Sequence, residues 1–198
     1  VEWIGHPMAI DDVLEKVVAG NWDRAAFKVE FDEERRVKGI YRTFSKSFKE
    51  AVKAKDLAAQ VKLIDKAIGD LPESYHARLT MTKLGVICGV EGHEEATVKL
   101  AADLREKNRG NANGLNGLAW KLAGECETKD EALLATALEA ALEANELAEG
   151  KSAPILDTLA RVYFQKGDVK KAIELQEKAV AVADDRMKES LQKVLAEY

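Results

Sequence analysis

Proline, cysteine and histidine are scarce in this chain, with three, two and three copies in 198 residues. So few prolines leave long stretches free to be helical, since proline removes a backbone donor and clashes with the preceding turn. They also exclude proline-rich, extended or collagen-like chains. The two cysteines, Cys88 and Cys126, form no C-x-x-C and fall in separate helical patterns. Neither redox chemistry nor a disulfide framework follows from that spacing, and both are expected to be buried free thiols that act as small hydrophobes without a functional role. His6, His76 and His93 lie far apart, outside any H-x-x-x-H or H-E-x-x-H arrangement, so no metal site is expected.

An excess of basic charge is also missing. The formal net charge is −5, which argues against a surface that binds phosphate backbones by releasing counterions. No apolar run approaches the roughly 20 residues of a membrane-spanning helix, so a soluble chain is expected. No Ser, His and Asp arrangement has a motif around it, and no cofactor is expected. The glycines of NRGNANGLNG lack both the G-x-G-x-x-G spacing and a preceding strand. That stretch reads instead as a turn between two helices, with Asn111 or Asn113 as the cap.

What is present is apolar periodicity of the helical kind. Hydrophobic residues make up 46% and charged ones 33%, a composition that suits an all-α fold. The clearest unit runs from Ala153 to about Arg186. Its first helix carries Ile155, Leu156, Leu159, Ala160, Val162 and Tyr163; Lys166-Gly167-Asp168 breaks it; Ala172, Ile173, Leu175, Ala179 and Val180 mark a second helix. Small Ala160 and Ala172 let the two helices approach closely.

This unit resembles the tetratricopeptide repeat, with Leu156, Leu159, Ala160, Tyr163, Ala172 and Ala179 at the family's spacing, and with Gln176 and Asp184 where the family has an aromatic residue and a proline. Weaker copies fit the same frame at about 41–74, 75–108 and 112–150, and an amphipathic segment over 187–198 suits a terminal cap. In the third copy GECETKDEALLA lengthens the turn between helices. The segment 75–108 is the least regular, and His93 in it is expected to open a helix with Glu94 and Glu95 near the helix's positive end.

The resemblance implies a right-handed superhelical stack of antiparallel hairpins over residues 24–198, whose first helices line a groove for a peptide or protein segment. Carried over position by position, the groove residues would be Arg42, Ser45, Lys49, Arg78, Met81, Asn113, Asn116, Trp120, Asp157, Arg161 and Phe164. Trp120 stands out, because aromatic side chains dominate interface energetics. The Lys and Asn pattern with which the chaperone-binding subclass holds a carboxylate is not matched. The stretch VKGIYRTFSKSFKEAVKAK is basic with interleaved rings. It could suit an acidic peptide, but Tyr41, Phe44 and Phe48 recur at core spacing.

Residues 1–23 differ. VEWIGHP starts like a strand, and MAIDDVLEKVVAG reads as an amphipathic helix. Together they resemble the last strand and helix of a thioredoxin-like domain, as in bacterial proteins that fuse one to tetratricopeptide repeats. With no initiator Met or signal sequence at Val1, the chain reads as an excised piece of such a protein, from the bacterial cytoplasm or periplasm. The alternative function is then an accessory or dimerising appendage of a thiol-disulfide oxidoreductase whose C-x-x-C lies upstream. A purely structural homodimer module is the third reading.

Overall fold

A computed structural model describes residues 10–198. Helix accounts for 80% of them, and no strand occurs among them. Ten α-helices follow one another: α1 Ile10–Val18, α2 Arg24–Lys53, α3 Leu57–Asp70, α4 His76–Ile87, α5 Glu94–Lys107, α6 Ala112–Trp120, α7 Glu131–Leu147, α8 Ala153–Gln165, α9 Val169–Val182 and α10 Asp185–Leu195. No helix among the described residues is long and apolar enough to cross a membrane. The strand expected at the start, with Trp3 and Ile4, lies outside the described residues, as does His6.

The helix starts are written in the sequence. Asp23, Asp56, Asn111, Asp130, Asp168 and Asp184 each accept a hydrogen bond from a backbone N–H of the first turn they precede, which satisfies donors that the helix itself cannot. Of the two cap residues expected before α6, Asn111 takes the role, accepting from Gly114 N–H at 3.0 Å. His93 precedes α5 without a side-chain cap, and Glu94 and Glu95 fill the first turn.

From α2 to α10 each helix packs on the next along the chain, α6 also touches α8, and α5 touches α7. The pairs α4/α5, α6/α7 and α8/α9 run over His76–Lys107, Ala112–Leu147 and Ala153–Val182. The first pair does not start at residue 41, because α2 is one 30-residue helix that begins at Arg24. The third unit differs too. Instead of a longer turn, α6 runs on through a π-helical segment, Lys121–Glu125. Cys126 N–H then closes it on Lys121 C=O at 2.9 Å, one residue wider than an α turn.

Two cores result. The larger spans Leu84 to Leu191 and is rich in alanine, with Ala119, Ala123, Ala137, Ala140, Ala141, Ala144, Ala160 and Ala179 fully buried. Small side chains at these crossings let helix axes come close. The smaller joins Val37, Ile64, Ala67, Leu71 and Leu79. Tyr41, Phe44 and Phe48 pack against it half-buried, and the Phe44 and Phe48 rings stack 5.4 Å apart. Gln176, standing where the repeat family has an aromatic ring, is fully buried. Its amide donates to Asp157 Oδ1 at 2.8 Å and to Leu191 C=O at 3.2 Å, so one polar side chain pins α8, α9 and α10 together.

Candidate functional site

A cleft of about 420 Å³ opens between α2, α3, α4 and the π-helical segment. Phe48 and Val52 come from α2, Thr82 and Gly85 from α4, Cys88 from the residue after α4, and Lys121, Glu125 and Cys126 from the π segment and its end. Its apolar wall is thus the flank of the smaller core, and its polar wall is the stretch where α6 departs from α-helical hydrogen bonding. Gly85 faces the Lys121 side chain, and a Cβ there would sit in ordinary contact, 3.4 Å from Lys121 Cδ. The Lys121 ammonium in turn pairs with Glu125, one turn along.

The groove residues expected from sequence do not themselves line the cleft. Arg42, Ser45 and Lys49 are exposed on α2. Arg78 is exposed on α4 with its guanidinium 5.6 Å from the Tyr41 ring centroid, a cation–π contact that ties α4 to α2. Met81 is half-buried against the larger core. On α6, Asn113 is exposed, Asn116 is half-buried with Oδ1 buried and unpartnered, and Trp120 keeps 40% of its surface exposed. The Trp120 ring lies flat on Gly124, where a Cβ would meet three ring carbons at 2.9–3.0 Å.

The fourth-unit residues do come together, but around the chain's own last residue. Phe164 stacks on Tyr198 with centroids 4.5 Å apart and planes at 20°. Arg161 sits 5.8 Å from the Phe164 centroid and donates to Glu127 Oε1 at 3.2 Å. Burial pushes the Asp157 carboxyl up, against the Gln176 hydrogen bond and Arg161 charge that pull it down. Burial likewise pushes the Tyr198 phenol up to about 12, with the Asp157 charge adding to it. The Tyr198 hydroxyl and Arg161 Nε are buried without a hydrogen-bond partner. Asp157, Arg161 and Phe164 therefore carry a ring and an ion pair on themselves and offer less surface than their positions imply.

Sequence reasoning did not bring the two cysteines together. Cys88 and Cys126 are half-buried, both line the cleft, and interact as hydrogen-bond partners. Nothing in their spacing signals this, because it depends on how α4 meets the π segment, as Gly85 meets Lys121. The Cys88 thiol is drawn down, chiefly by that hydrogen bond and also by Lys121, against burial and Asp130. The Cys126 thiol is pushed up by the same hydrogen bond and by burial. No family model, curated protein or solved structure matches the chain.

Proposed function

We propose that this all-helical chain is a tetratricopeptide-like interaction module that holds a peptide or protein segment by non-covalent recognition. The observation that carries the reading is the cleft itself: apart from Gln60 of α3, its lining comes from α2, from α4 and the residue after it, and from the continuation of α6, the first helices of three successive pairs. Such sharing is what a stack of hairpins produces on its inner face. The direct contact of α6 with α8 supports the same arrangement further along. A groove preformed by packed helices lowers the ordering cost of association.

The chemistry beside the cleft favours an acidic segment with an apolar side chain. Phe48, Val52 and Val86 offer an apolar wall, and α2 carries Arg42, Lys46, Lys49 and Lys53 exposed along its second half. The test is selection from a random-peptide display library, followed by anisotropy with a labelled winner. Val52→Glu and Thr82→Arg, both on the cleft lining, should each weaken binding about tenfold or more, the scale of a hot-spot loss. Raising salt should weaken it further, as for exposed charge pairs. Selected peptides that bind both variants as tightly as the parent would reject the groove.

A further inference from the structure

The cleft holds one feature that peptide recognition does not use. The chain has two cysteines, and the fold brings both to the lining of this cleft. We propose that Cys88 and Cys126 are a reversible thiol–disulfide site, a redox modification that staples the end of α4 to the end of the π segment.

Each cysteine sits where a helix has just ended. Cys88 leaves α4 with extended backbone, φ −65° and ψ 126°, its N–H still bonded to Leu84 C=O. Cys126 closes the π segment on Lys121. The residue after each is left-handed, Gly89 at φ 74° and Glu127 at φ 47°. Both thiols thus lie at turns rather than in mid-helix, where the specific dihedral of a disulfide can be met without breaking a helical ladder. Both are half-buried and face an open cleft, so a small oxidant can reach them.

The surroundings divide the labour. Cys88 faces the Lys121 ammonium, with the Asp130 carboxylate opposing it, and accepts the hydrogen bond of its partner. It is therefore the readier thiolate, and the thiolate is the nucleophile. Cys126 faces Lys121 and Glu125 and keeps its proton, which makes it the resolving thiol. With a hydroperoxide as oxidant, the Cys88 thiolate attacks the O–O bond and takes one oxygen as the sulfenic acid, and the alcohol leaves with a proton. Cys126 then attacks the Cys88 sulfur, the S–S bond forms, and water leaves with the hydroxyl and the Cys126 proton. Two thiols lose two electrons and the peroxide gains them. A dithiol reverses the change by exchange through a mixed disulfide.

The proposal does not rest on the peptide-binding reading, and the test measures the bond directly. The purified chain is equilibrated in buffers of varied glutathione to glutathione disulfide ratio, quenched with a maleimide, and mapped by mass spectrometry. The expected product is monomeric, loses two reactive thiols together, yields a Cys88–Cys126 cross-linked peptide, and reverts with dithiothreitol while far-UV circular dichroism stays helical. Its melting temperature should exceed that of the reduced chain by roughly 5 °C or more. In the reduced chain, Lys121→Met should slow alkylation of Cys88 at neutral pH about threefold and move its pH profile upward, which a packing role alone would not do. Only intermolecular disulfides, mixed disulfides that never resolve, or cross-linking only with loss of helix would each overturn the proposal.

Discussion

Gly124 has no room for a side chain, because the six-membered ring of Trp120 rests where its Cβ would be. Gly124→Ala should lift that ring off the π segment. Tryptophan emission should shift to the red, with a stability loss of about 1 kcal/mol, since a ring already 40% exposed can move aside. An unchanged emission spectrum would mean that the ring does not rest there. Tyr198 offers a second test. Its folded pKa of about 12 lies above the ordinary tyrosine value of 10, so the contribution is present below pH 10 and is lost as pH rises through 12. The stability difference between the parent and Tyr198→Phe should therefore shift against the parent over that window, as read by urea midpoints at each pH. Asp157 has the same sign lower on the scale, since its folded pKa is raised by burial. Its neutral form is the better tolerated one, and stability falls as pH climbs through that raised value. Asp157→Asn, which keeps an oxygen for Gln176 to donate to, should remove that fall.

Among the elements, the helix starts rest on single residues of unequal worth. Asp168 accepts from Lys171 N–H at 3.1 Å, whereas Ser152 before α8 makes no side-chain cap bond. Asp168→Ala should cost about 1 kcal/mol in urea denaturation and Ser152→Ala clearly less; equal costs would show that the caps do not set these boundaries. This hierarchy explains what the sequence discloses. Asp and Asn before apolar periodic runs mark the boundaries, and the runs themselves identify α8, α9 and α10 closely. The π segment is hidden because Leu122 and Ala123 continue the apolar pattern of α6, and the extra residue is absorbed by a backbone bond that leaves no side-chain signature. The same widening alters the register of everything after Trp120, so a frame carried along from the fourth unit reaches Trp120 but not Lys121 or Cys126. The start of α2 at Arg24 is marked by its Asp23 cap, and the charged stretch from Glu30 to Arg36 stays helical as Arg36 holds Glu33 bidentately one turn back, at 2.7 Å to each oxygen. Such pairs support a solvated helix that buries little.

Across the whole molecule the burial is lopsided. The larger core gathers residues of α4 through α10, with Leu104, Leu115, Leu118, Leu122, Val162 and Gln176 essentially sealed from solvent. Towards the start the packing thins: α2 buries only Val37 and Ala51 over its 30 residues, and on α1 Leu14, Val17 and Val18 stay 49%, 39% and 86% exposed. Local opening costs least where few apolar contacts must be broken, so this chain should open from its α1 and α2 end while α8 and α9 stay closed. The Gln176 bridge to Asp157 and Leu191 ties α10 into the closed part, and Tyr198 on Phe164 holds the last residue against it. Native-state hydrogen exchange should show rapid exchange over 10–20, intermediate protection through α2 and α3, and the slowest amides over 153–183. Gln176→Leu separates two accounts of that slow region. If the amide bridge secures α10, the variant should speed exchange across 185–195 while sparing α6 and α7; if apolar packing alone does so, α10 should be as protected as in the parent. Equal protection in α1, α2 and α8 would mean that the two cores unfold as one unit despite their unequal depth.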